Sequence, residues 1–272
     1  MPKEQTHDSI FMEINGHKRK TLDIKRISDW KRVEISEIDS DYWSIANQSK
    51  NEWGVVEKGG IIYSVLLERS PKPKISINVD DGEIISNDMG EFGARVYWES
   101  SYQSTSKIIN YSHISSFIKT PIGILGRGGL SHMCLCNGEI VKFFKKNDLW
   151  TSETVIAFHD TCPYAWCLHD NNLWIVTDSG LLNYSIYDLR LEMKIKEFWE
   201  LLYPNSIVID SNNTVFIGMR DGIVEIKNSC KIYWLIEKEE KLTEINELVK
   251  KFKEEGYNFL FNRAMEFLEK QN

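Results

Sequence analysis

Two groups of side chains in this sequence have the types and spacing to hold a metal. His132, Cys134 and Cys136 alternate, so on a strand they would share one face. His159, Cys162, Cys167 and His169 follow closely in the chain. Structural zinc sites favour ligand pairs two to four residues apart, usually in loops. Only His159 and Cys162 meet that spacing, and Cys167 lies inside an apolar run that reads as strand. Small cysteines buried in strands are common. The expectation is therefore no metal site. With an odd count of five cysteines, Cys134, Cys136, Cys162, Cys167 and Cys230, it is also reduced thiols in a reducing compartment.

Other chemistry finds less support. Asp39-Ser40-Asp41-Tyr42 has the acids of a calcium loop but neither its glycine nor its distant glutamate. Gly123, Gly126, Gly128 and Gly129 form a glycine-rich run. A phosphate cradle would need a helix start after it and usually a lysine; Leu130–Leu135 instead reads as strand, so close backbone packing is expected. No G-x-S-x-G, H-E-x-x-H, Walker loop or dinucleotide fingerprint occurs. Carboxylates are abundant, but no acid repeats on the candidate inner strands, which weakens a hydrolase reading. No catalytic residue and no cofactor are assigned.

The elements that would position any site are strands. Trp166–Tyr184 and Ile207–Ile226 read as one unit written twice. In each, short runs of Trp, Ile, Val, Leu, Phe and Tyr alternate with tight turns of Asp, Asn and Gly. Asn171-Asn172 falls on Asn212-Asn213, and Gly180 on Gly222, a period of about 41 residues. A repeat of that length holding several short strands points to a β-propeller blade. D-D-G-E-I-I at 80–85 and C-N-G-E-I-V at 136–141 look like weaker versions of the same hairpin. Asp170, Trp174, Thr177 and Gly180, with Asp210, Phe216, Gly218 and Gly222, resemble the propeller repeat of bacterial two-component regulator sensors. That resemblance covers about a quarter of the chain and implies a blade rather than a ligand. The transmembrane and kinase segments of those sensors are not found in the sequence, so no signalling role is expected.

The 272 residues are 42% hydrophobic, enough for a full-sized core. The expected fold is all-β, a propeller of about five blades over residues 1–236. A C-terminal pair of amphipathic helices over 237–272 would pack on it. Leu242, Ile245, Leu248, Val249 and Phe252 make the first helical stripe; Tyr257, Leu260, Phe261, Ala264, Phe267 and Leu268 make the second. The joining segment 186–203 reads as a short helix or an outer strand covering one edge, stopped by Pro204. Residues 1–53 are the least legible. The polar start has no apolar signal core and no run is long enough for a membrane span, so a cytoplasmic protein is expected.

A net charge of −7 argues against nucleic acid as partner and suits a basic protein. In a propeller blade the loop between the second and third strands shares a face with the loop entering the first. That rule brings Tyr164, Asp178, Tyr203, Asn205, Arg220 and Asp221 to one rim as candidate partner-binding residues. The functional expectation is a non-enzymatic protein-binding propeller, in its sharpest form an immunity protein neutralising a co-encoded, basic, nuclease-like toxin. The alternatives are a propeller hydrolase acting on a sugar or lactone, and a scaffold for another host protein.

Overall fold

The fold is that of a computed structural model. It describes residues 10–14, 17–33, 43, 46–47, 49–68, 74–132, 135–178, 180–196, 199, 201–227, 231–236, 247, 250–251 and 254. These form five antiparallel sheets. The first contains β1 (Ile10–Ile14), β2 (His17–Arg26), β4 (Glu52–Lys58) and β5 (Ile61–Leu67), in the order β1-β2-β5-β4; β3 (Lys31–Val33) leaves it for another sheet. The second runs β6 (Ile75–Val79), β7 (Gly82–Asp88), β8 (Ala94–Ser100) and β9 (Ser106–Asn110). The third runs β10 (Ile114–Thr120), β11 (Gly123–His132), β12 (Leu135–Lys146) and β13 (Leu149–Phe158). The fourth runs β14 (Pro163–His169), β15 (Asn172–Thr177), β16 (Gly180–Ser185) and β17 (Arg190–Lys196). The fifth runs β18 (Ser206–Ile209), β19 (Val215–Met219), β20 (Gly222–Lys227) and β21 (Lys231–Ile236), and takes β3 on its outer edge.

The two repeat copies fall on corresponding hairpins of the fourth and fifth sheets. Their turns use the residues that tolerate left-handed backbone: Asp170 at φ 47°, Asn171 at 61°, Asn213 at 58° and Asp221 at 62°. Alternation along each strand then feeds two cores. On β19, Val215, Ile217 and Met219 pack toward the fourth sheet, while Phe216 packs toward the first. On β15, Leu173 and Ile175 face the third sheet and Val176 the fifth. A further core joins the second and third sheets through Ile84, Val96, Ile114 and Phe143. The sheets therefore stack face to face in chain order from the second to the fifth, and the fifth packs on the first. This is a propeller-like, all-β arrangement.

The segment after β16 resolves to the outer strand β17, with Trp199 and Leu202 buried beyond it. The indole N–H of Trp199 donates to the Thr177 carbonyl at 2.7 Å. The expected C-terminal helical pair is not part of the described architecture. Both apolar stripes lie outside the described residues, and of the first stretch Glu247, Lys250, Lys251 and Glu254 are helical and exposed. Asp39–Tyr42 also lies outside the described residues. Among the described residues no helix is long and apolar enough to cross a membrane.

One cysteine expectation is corrected. Cys136, at the start of β12, and Cys162, just before β14, form a disulfide with their Cα atoms 5.6 Å apart. Spacing along the chain separates the two Cys/His groups, whereas sheet stacking brings one member of each together. Cys167 is free; Cys134 and Cys230 lie outside the described residues. No group of three or more metal-ligating side chains occurs among the described residues.

Candidate functional site

Four of the five sheets send residues to one cavity of about 240 Å³. Tyr164 enters it from the start of β14, and Tyr203, Pro204 and Asn205 from the segment leading into β18. Ile14 and Arg19 come from the β1–β2 hairpin, Glu52 from the start of β4 and Arg127 from the middle of β11. The first sheet can contribute on two sides because it curls. Its end strands β1 and β4 pack against each other, closing over Ile14, Val56, Val65 and Leu67.

The Tyr203 loop is built by hydrogen bonds to the neighbouring hairpin. Leu202 N donates to Trp199 O at 2.9 Å, Arg220 N to Leu202 O at 2.7 Å, and Asn205 N to Gly218 O at 2.9 Å. These bonds hold Leu201 and Tyr203 at φ 60° and 51°, a region bulky residues seldom adopt without such restraint. Tyr203 is left 43% exposed. Its ring stands edge-on to Tyr164, centroids 6.4 Å apart at 75°, and the Arg220 guanidinium lies 4.5 Å above it. Of the six residues expected on one rim, the fold thus brings Tyr164, Tyr203, Asn205 and Arg220 together.

The two acids of the expected rim are turned to other work. The Asp178 carboxylate accepts from Cys162 N at 3.0 Å and from the Thr161 hydroxyl. Asp221 is buried and accepts from the Ser49 hydroxyl at 2.8 Å. Arg220 itself donates to the Asn47 carbonyl and, at 3.0 Å, to the Asn47 side-chain oxygen. Asn47, Ser49 and Asn51 therefore clasp the β19–β20 turn, which fixes Arg220 above Tyr203. Asn205 spends its amide on the Trp53 carbonyl at 3.1 Å. That contact is possible because β4 runs close over β19 at Gly218, where a Cβ would stand 2.4 Å from the Trp53 carbonyl oxygen and 2.8 Å from Gly54 Cα.

Electrostatics single out Arg127. It is 4% exposed, and its Nε and Nη1 are buried without a hydrogen-bond partner. Burial alone pushes the guanidinium down to about 9. An unpaired buried charge of this kind costs several kcal/mol. Arg19 reaches Glu52 at 3.4 Å and the Glu68 carbonyl at 3.4 Å, so the carboxylate of the lining is already engaged. The Tyr164 phenol is raised above its usual 10, first by burial and then by the charge of Asp178 and by Tyr203, so it is a hydrogen-bond donor at neutral pH.

Sequence reasoning missed Arg127, Arg19, Glu52 and Ile14. For Arg127 a signal existed. It shares a strand face with the buried Leu125 and sits between glycines, a charged residue where the pattern calls for an apolar one. The glycines pack closely, as expected. A Cβ at Gly126 would meet Phe143 at 2.8 Å, and at Gly129 the Asn137 carbonyl at 2.9 Å. Arg19 and Glu52 carried no signal, since the curl of the first sheet has no local signature. The second Cys/His group does not converge: His169 Nε2 lies 3.1 Å from Asn213 Oδ1, while Cys162 is bridged to Cys136.

No protein-family model and no curated protein matches this chain. Among solved structures it is similar to the extracellular domain of BT4673 from B. thetaiotaomicron. In one structure, described as a one component system, identity is 15% and the TM-score 0.40, covering 65% of this chain and 26% of that one. In another, described as a hybrid two component system, the values are 14%, 0.42, 80% and 31%. It is also similar to streptogramin B lyase, at 13% identity and a TM-score of 0.36, covering 59% of this chain and 56% of that one. The chain thus spans between about a quarter and just over half of the length of these structures.

Proposed function

We propose that the chain is a non-enzymatic binding protein that docks a protein partner on the rim formed by Tyr164, Tyr203 and Arg220. The observation that carries the reading is the Tyr203 cluster itself: an exposed aromatic ring, braced edge-on by Tyr164 and from above by Arg220 at 4.5 Å. Tyr and Arg dominate interface hot spots, and a ring whose backbone and neighbours are already fixed loses little entropy on binding. The net charge of −7 favours a basic partner through steering, and the sharpest form of the proposal is an immunity protein for a co-encoded, basic, nuclease-like toxin. With Asp178 and Asp221 engaged inside the fold, the attraction on this reading comes from the whole surface rather than from the rim acids. A cytoplasmic location belongs to the proposal and is checked by cell fractionation, because a disulfide such as Cys136–Cys162 is more usual in oxidising compartments.

The hydrolase reading fits this cavity less well. Glycoside hydrolysis typically uses two carboxyl groups across the scissile bond. Among the described lining residues Glu52 is the one carboxylate, and it is paired with Arg19.

The test is calorimetric titration of the purified protein with the product of the adjacent gene. Y203A and Y164A should each weaken binding by about 2 kcal/mol with thermal stability nearly unchanged. R220A should weaken it too, with some loss of stability because the Asn47 clasp is released. Wild-type affinity in both tyrosine variants, with loss on deleting residues 240–272, would move the site to the C-terminal segment and retire the assignment.

A further inference from the structure

We infer that the cavity behind this rim is a binding site for a small organic carboxylate, held by the guanidinium of Arg127. Arg127 lines the cavity, is 4% exposed, and keeps two nitrogens buried with no partner. A guanidinium placed this way lacks a planar acceptor, and a carboxylate supplies one through two parallel N–H···O bonds.

The lining selects among anions. Arg19 and Arg127 bring two positive charges and Glu52 one negative, so one positive charge is left over and a monoanion matches better than phosphate. The walls made by Ile14, Pro204 and the rings of Tyr164 and Tyr203 are apolar and call for a carbon skeleton behind the charged group. Tyr164 and Tyr203 line the same cavity, and their hydroxyls can fix orientation. The volume, about 240 Å³, exceeds that of a bare ion and is slightly below the usual range for small-molecule sites, which sets the ligand size at a few to about ten non-hydrogen atoms. The inference does not depend on the rim binding a protein.

Thermal unfolding of the full chain with acetate, propionate and benzoate, each up to about 10 mM, tests it, with sodium chloride at equal ionic strength and benzamide as controls. At least one carboxylate should raise Tm in a saturable way, benzamide should not, and R127M should weaken the response at least about ten-fold. R127K, which keeps the charge but loses the fork, should also respond more weakly than wild type. If R127M does not fold, the wild-type guanidinium 15Nε resonance must move on titration with the responding carboxylate. No shift beyond the chloride control, or an R127M response equal to wild type, overturns the inference.

Discussion

Arg32 and Glu225, 193 positions apart, meet side by side where β3 adds to β21. Arg32 Nη2 donates to Glu225 Oε1 at 2.8 Å, and Nε donates to Oε2. The carboxylate is 2% exposed and the guanidinium side chain 52%. The pair therefore ties β3 to the rest of the last sheet through an acid that has lost its water. Truncating the arginine strands that acid, and Lys227, at 3.4 Å from Oε1, replaces the lost partner only in part. R32A should cost about 2 kcal/mol, between the value of an exposed pair and that of a fully buried one. R32A/E225Q should recover part of the loss. Urea denaturation of the three proteins measures both; a loss in R32A no larger than experimental error would show that the closure does not depend on this pair.

At Gly218 the first and fifth sheets approach closely. An added Cβ would stand 2.4 Å from the Trp53 carbonyl oxygen and 2.5 Å from Ser206 Oγ. Backbone cannot yield cheaply there, so G218A should destabilise by about 3 kcal/mol or more. G60N is the contrast. Gly60 has φ 78° with nothing within 4 Å, and asparagine tolerates that region, so the change should cost under about 1 kcal/mol. Comparing their urea midpoints checks the pair, and similar midpoints would refute the close approach.

What was legible in the sequence was what is local. Turn residues at Asp170-Asn171 and Asn212-Asn213 fix hairpins, and the period between them gives stacked sheets of one kind. The convergence of Tyr164, Tyr203 and Arg220 followed from that topology, because loop order fixes which turns share a face. Arg127 needed more. Its place on the face of Leu125 marks it as a charge where an apolar residue is expected, but only sheet stacking shows it buried. The Cys136–Cys162 contact likewise crosses between sheets, so sequence spacing has no bearing on it. The β3–β21 pairing joins segments nearly two hundred residues apart, and three residues of β3 carry no pattern of their own.

The disulfide and the remaining described cysteine make a labelling prediction. Peptide mapping without reduction should recover Cys136 linked to Cys162, and Cys167 linked to nothing. Burial pushes the Cys167 thiol up to about 12, so it is protonated and unreactive at pH 8. Iodoacetamide should modify it only after denaturation. Closing a loop of this length, 26 residues in separation, stabilises by about 3 kcal/mol in the chain-entropy account, so C136S/C162S should unfold earlier. A Cys162–Cys167 link, or rapid native labelling of Cys167, would contradict the placement.

The junction of the second and third sheets should weaken in acid, and Asp81 is the group to follow. It lies in the β6–β7 turn and accepts from Lys145 Nζ at 2.8 Å and Trp150 Nε1 at 3.1 Å, both on the third sheet. Burial pushes its carboxyl up, but the bonds from Lys145 and Trp150 together outweigh burial and hold it below its ordinary 3.8. A carboxyl lowered on folding contributes stability that is present above 3.8 and is lost as pH falls through the lower folded value. Glu83, lowered by its bonds from Lys74 and Ser76, acts in the same direction, so D81N should flatten the acid limb without abolishing it. At pH 7 D81N should have a lower urea midpoint than wild type, and the gap should narrow as pH falls below 3.8. A gap that stays constant from pH 7 to pH 3 would mean that the contact depends on shape and hydrogen bonding alone, and that the charge on Asp81 contributes nothing to holding the two sheets together.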